Sequence, residues 1–244
     1  MNIKRKIYLL AMSAVILAIS GFQISFAQPG GSSATSIQSD TTRSLSPYFI
    51  PATRKKKTPD PDGFIQRWLL LEPINKPNRR NNVLSDSYIR TALTTEYFPN
   101  QFTILPKDGE KVKAGDQELT WHAVESTNFN VKLFRFAYGL NKQIYGVIFW
   151  AVTVVNCPEE MKNVRMSVGS NASSMWWLNG KEVAVLTGDI HMVVDDYVTA
   201  RLTLNKGKNI IRGAVINGPG MSDFCLRFLD EKGEPVRNIT ITCE

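Results

Sequence analysis

Two stretches decide the fold: SMWWLNGKEV, Ser174 to Val183, and RLTLNKGKNIIRGAVINGPG, Arg201 to Gly220. The first is an apolar, aromatic run that stops at Asn179-Gly180. That pair tolerates the positive φ angles a tight strand-to-strand turn demands, so the segment predicts a strand running into a turn. The second reads as strand, turn, strand, with Asn205, Lys206, Gly207, Lys208 and Asn209 forming the turn.

Working outward, the same punctuation recurs. GVIFWAVTVV, Gly146 to Val155, is an unbroken β-rich apolar run, which suits a central strand covered on both faces. VRMSV, Val164 to Val168, alternates, placing Val164, Met166 and Val168 inward. FCLRF, Phe224 to Phe228, does the same through Phe224, Leu226 and Phe228. DEKG, Asp230 to Gly233, is a turn, and NITITC, Asn238 to Cys243, a closing strand with Ile239 and Ile241 on one face. FIQRWLLLEPI, Phe64 to Ile74, predicts a first strand ended by Pro73. SDSYIRTALTTEYF predicts a helix near 85–96, with Ser85 as cap and Tyr88, Ala92 and Leu93 at helical spacing. Short strands, frequent turns and few helices indicate an all-β, antiparallel β-sandwich with one or two short helices.

The N-terminus reads as an address. Lys4, Arg5 and Lys6 precede the apolar run Ile7 to Ile19, and the small residues Ser25 and Ala27 precede Gln28, so a signal peptide over 1–27 with cleavage after Ala27 is expected. An uncleaved anchor is the alternative. The expected location is secreted or periplasmic, with no membrane span in the mature chain. Residues 28–63 are rich in Ser, Thr, Gly and Pro and predict a flexible linker. Residues 64–244 form the expected sandwich domain. The formal charge of the whole chain is +7. Most of that excess lies in the signal segment and in Arg54 to Lys57. The folded part, with 21 bases and 19 acids, has no nucleic-acid-binding charge pattern. The run Arg54 to Lys57 reads as a solvated linker charge run. Cys157, Cys225 and Cys243 allow one disulfide and leave one thiol over, with the pairing open.

The order of these motifs resembles the galactose-binding-like, jelly-roll β-sandwich modules of secreted Bacteroidetes polysaccharide-degrading proteins. RWLLLEPI is followed by a segment with Pro106, Gly109 and Trp121, then by the long core strand, GSNASSMWWLNGKEV, the KGKN turn and RFLDEKGEPV. Chains with this order are similar to some described as acetylxylan esterases. The resemblance implies a carbohydrate-binding or accessory role in polysaccharide degradation, with a polysaccharide or oligosaccharide, and a degrading enzyme, as partners.

On a strand Trp176 and Trp177 point to opposite faces, so one of them is available to stack on a pyranose ring unless a layer covers each side. Asn217, Ser222 and Asp223 flank the Gly218 to Met221 loop and can hydrogen-bond sugar hydroxyls; turn capping is the plainer role for the same residues. His191, Asp195 and Asp196 form an oxygen-rich group whose chemistry would suit a structural calcium ion; no other cofactor is expected. A serine-hydrolase elbow is absent, and His122 and His191 are the only candidate bases. The expectation is therefore a secreted carbohydrate-binding β-sandwich that does not act as an enzyme alone. A carbohydrate esterase of the acetylxylan type and a structural cell-surface protein are the rivals.

Overall fold

The computed structural model describes residues 43–77, 85–187, 191–218 and 220–244, which belong to the compact unit Thr41–Glu244. The expected signal peptide, residues 28–42 of the expected linker, Gly188 to Ile190 and Pro219 lie outside the described residues. In chain order the strands are β1 (Phe49–Pro51), β2 (Arg67–Leu71), β3 (Ile74–Asn75), β4 (Lys111–Ala114), β5 (Gln117–Ser126), β6 (Val131–Lys132), β7 (Val147–Cys157) and β8 (Met161–Ser170). They continue as β9 (Ser173–Leu178), β10 (Lys181–Leu186), β11 (Tyr197–Val198), β12 (Leu202–Leu204), β13 (Gly207–Asn217), β14 (Asp223–Leu229) and β15 (Thr240–Thr242). Two short helices interrupt them, α1 (Asp86–Thr94) and α2 (Leu133–Gly139).

All described strand pairings are antiparallel, and two sheets result. The larger runs β1-β5-β2-β7-β13-β9-β10, with β15 and β3 beside β7 and β4 beside β5. The smaller runs β11-β8-β14-β6, with β12 beside β8. The fold is an all-β antiparallel sandwich, as the alternation predicts.

Strand β7 shows why its sequence is apolar throughout. Val147, Phe149, Ala151 and Val155 face the core between the sheets. Ile148, Trp150 and Val152 face a second apolar layer, under α1 and the segment carrying Phe98 and Phe102. The smaller sheet supplies Val164, Met166, Val168, Phe224, Leu226 and Phe228 to the first core. The two layers also settle the tryptophan pair. Trp176 is fully buried between the sheets, its ring centroid 6.1 Å from that of Trp68 and 4.9 Å from that of Phe224. Trp177 is 7% exposed and stacks on Trp150 at 5.6 Å, with Phe102 edge-on to both. With a layer on each side, neither tryptophan presents a face to solvent.

Three sequence expectations change. Residues 43–63 are not linker: β1 pairs with β5, Phe49 is buried, and Lys57 and Ile241 exchange backbone hydrogen bonds of 3.3 and 2.6 Å. The segment needs no core of its own because it adds an edge strand to one already formed. The buried Arg67 guanidinium fixes it there, donating to Glu125 Oε1 at 2.6 and 3.1 Å and to the Ile241 and Lys55 carbonyls, while Lys57 Nζ donates to Glu125 Oε2 at 2.7 Å. The basic run therefore divides, with Lys57 anchored and Arg54, Lys55 and Lys56 exposed. Second, the turn expected over Asn205 to Asn209 is shorter, because Gly207 to Asn209 already belong to β13. Strand β12 pairs with β8 of the smaller sheet and β13 with β7 and β9 of the larger, so the turn crosses between sheets. Asn209 holds it, accepting from the Asn205 amide at 2.9 Å and donating to the Asn205 carbonyl at 2.8 Å. Third, Ser85 occupies the cap position of α1 without a capping hydrogen bond, and Asp86 supplies the favourable first-turn charge. The three cysteines are free thiols.

Trp176 lies flat against Gly213 of β13, its partner in register. A Cβ at residue 213 would sit 2.2 Å from the Trp176 ring. The Gly213→Ala variant is therefore expected to lose roughly 1–3 kcal/mol of stability, since the overpacking outweighs the gain from a stiffer unfolded chain. Urea unfolding measures this, and an unchanged or raised midpoint would contradict the packing.

Candidate ligand site

One end of the sandwich gathers the ends of β6, β8, β13, β14 and the start of β7, because the antiparallel register brings them level. Asp223 lies opposite Lys132, Phe224 opposite Ser170, and Asn217 opposite Val147. This register assembles polar groups from sequence-distant loops.

Asp223 is 5% exposed. Its Oδ2 accepts from Asn130 Nδ2 at 3.1 Å and from Lys132 Nζ at 3.3 Å, and its backbone amide donates to Asn171 Oδ1 at 2.5 Å. Its other oxygen, Oδ1, is buried without a hydrogen-bond partner, and so is the hydroxyl of fully buried Ser222. Burial raises the Asp223 pKa above the ordinary aspartate value, and Lys132 and Arg135 only partly counter it. Asn217 donates to the Ile144 carbonyl at 2.7 Å and to Gly220 at 3.2 Å, fastening the β13–β14 loop to the segment before β7. That segment exposes Tyr145, which is 45% accessible and whose ring lies 6.1 Å from that of Phe134. The Phe134 amide donates to the Ser222 carbonyl at 3.2 Å. Met221, 46% exposed, completes the rim.

Asn217, Ser222 and Asp223 all lie buried at this end of the sandwich, while Trp176 and Trp177 lie in the two cores. Tyr145 is an exposed aromatic side chain at the loop end, packed on Phe134. Its only sequence signal is its place in the polar Asn141 to Gly146 turn before the central strand. Lys132, Asn130 and Asn171 carry no sequence signal, since only strand register makes them neighbours.

The remaining candidates lie apart. The Asp195 carboxylate is engaged by Ser167 and Arg227, whose hydrogen bond holds it below the ordinary aspartate range, and His191 and Asp196 are exposed. Among the described residues no cluster of three or more His, Cys, Asp or Glu could hold a metal ion. His122 Nε2 lies 3.4 Å from Glu72 Oε1, and its ring packs on Phe136, so it does not serve Ser222. A separate cleft of about 730 Å³ is lined by Arg54, Lys107, Asp108, Cys243 and Glu244 among others. Burial pushes the Cys243 thiol up to about 12, so it stays protonated and poorly nucleophilic.

No family model and no curated protein matches the chain. Among solved structures, a PA14 sugar-binding domain from an RTX adhesin is similar at 10% identity, over 72% of this chain and 96% of that one, with a TM-score of 0.43. The PA14 domain of an antifreeze protein is similar at 12% identity, over 78% and 96%, with a TM-score of 0.41. A β-glucosidase from Kluyveromyces marxianus in complex with glucose is similar at 16% identity over 70% of this chain and 17% of the enzyme, with a TM-score of 0.36. Likenesses this weak carry no argument about ligand or chemistry.

The raised pKa of Asp223 has a defined consequence. Its contribution to stability is fully present below the unfolded-state pKa and is lost as pH rises through the higher folded value. Asp223→Asn is therefore expected to be more stable than the natural protein near neutral pH, with the gap closing on acidification. Thermal melts of both proteins across the acidic range check this. A variant less stable at neutral pH would mean that Lys132 and Asn130 outweigh burial.

Proposed function

We propose that the chain is an exported carbohydrate-binding or accessory β-sandwich module acting in polysaccharide utilisation, and that it takes sugar at the loop end around Tyr145. The observation that carries this reading is the exposed Tyr145 ring, packed on Phe134, whose amide donates to the Ser222 carbonyl in the buried polar cluster at the same end. The face of the Tyr145 ring suits the C–H groups of a pyranose, and Lys132, half-buried at the same end, offers a donor. The charged start Lys4 to Lys6, the apolar run and the Ser25/Ala27 pair support export.

An acetylxylan-esterase activity would need a base beside the serine. Ser222 Oγ has no hydrogen-bond partner, so no acetate release is expected from the isolated protein. The second reading, a structural cell-surface protein, is favoured by the burial of both Trp176 and Trp177.

Affinity electrophoresis against xylan, pectin and mucin glycans separates these readings. Retardation by at least one glycan is expected. Tyr145→Ala should weaken it about tenfold, the loss of one stacking contact, without changing the melting temperature. Binding that survives this substitution places the sugar elsewhere, and absence of any retardation favours the structural reading.

A further inference from the structure

The charges at the loop end are unequal. Asp223 is the buried carboxylate there, and its Oδ2 is shared by Asn130 and Lys132. Arg135, presented by α2, lies with its guanidinium 4.7 Å over the Tyr48 ring and 6.0 Å from the Phe134 ring. Among the described residues it forms no ion pair, a state it shares with Arg43, Arg165, Arg212 and Arg237, whereas Arg67, Arg90, Arg201 and Arg227 each have a carboxylate partner. A guanidinium stacked on an aromatic face keeps its in-plane N–H edge, the geometry that forks onto a planar anionic group. The same Phe134 ring lies 6.1 Å from exposed Tyr145. A cation held in no ion pair, although its charge is felt by Asp223, therefore stands one ring away from the proposed stacking surface.

We propose that the loop-end site is built for acidic sugars, with Tyr145 stacking on the ring and Arg135 taking the anionic substituent. This rests on the carbohydrate-binding reading. A carboxylate and a sulfate ester share the required chemistry. Lys132 adds attraction but is already engaged with Asp223, so Arg135 is the residue that discriminates acidic from neutral glycans.

Calorimetric titration of the full chain tests this with three oligosaccharide probes: oligogalacturonate, neutral galactan and chondroitin sulfate. At least one acidic probe is expected to bind about tenfold or more tighter than the neutral one, with affinity falling as salt is raised. Arg135→Gln should abolish that preference while leaving residual neutral binding, and Arg135→Lys should keep part of it, since charge remains but the fork is lost. Preference for oligogalacturonate alone assigns the carboxylate, and preference for chondroitin sulfate alone assigns the sulfate. If Arg135→Gln unfolds the protein, the salt dependence and Arg135→Lys decide the question. Equal binding of neutral and acidic probes, or a preference indifferent to residue 135, overturns the inference and leaves the carbohydrate reading standing. If no probe binds, both fall.

Discussion

The structure depends on an aromatic wedge between its two sheets. Trp68 and Trp176 project from the larger sheet and Phe224 from the smaller, and their ring centroids meet at 4.9 to 6.1 Å in edge-to-face contacts. Each indole N–H is satisfied, Trp68 by the Ile65 carbonyl at 2.8 Å and Trp176 by Ser174 Oγ at 3.0 Å. The wedge thus buries three large rings without leaving these donors unpaired. It fits because Gly213 offers no Cβ where the Trp176 ring lies against β13.

The wedge also fixes the candidate site. A strand alternates its faces, so seating Phe224 inward leaves Asp223 on the opposite side of β14, across from Lys132. A one-residue slip in β14 would turn Phe224 out and Asp223 into the core, which the wedge forbids. Register therefore carries packing information from the middle of the sandwich to its end, where it becomes a buried carboxylate with a cation beside it. Burial opposes ionisation of Asp223, and its Oδ1 and the Ser222 hydroxyl are buried without hydrogen-bond partners.

Much of the fold is legible in the sequence, because burial writes period and run length directly. The unbroken apolar run after Gly146 announces a strand covered on both sides, and the alternation in Val164 to Val168 and Phe224 to Phe228 identifies their inward faces. Composition misleads at 43–63, where a polar segment is ordered by pairing with an edge rather than by a core of its own. Turn chemistry marks the break at Asn205 to Asn209 but not which sheets the flanking strands join, because residues that suit a hairpin equally suit a crossing between sheets. The candidate site is half legible. Asn217, Ser222 and Asp223 are close in sequence and all buried at the loop end. Asn130, Lys132, Tyr145 and Asn171 join them only through strand register, which no local pattern encodes. The tryptophans draw attention because Trp is large and stacks well, yet the same size makes it the natural filler of a two-sided core.

The central claim is that the loop end around Tyr145, rather than the Arg54 to Cys243 cleft, receives the glycan. Amide chemical-shift mapping by NMR during titration with a bound oligosaccharide addresses it directly. The account predicts that the shifts concentrate at Lys132, Tyr145, Asn171, Ser222 and Asp223. Shifts centred on Arg54, Lys107 and Cys243, with the loop end silent, would contradict it.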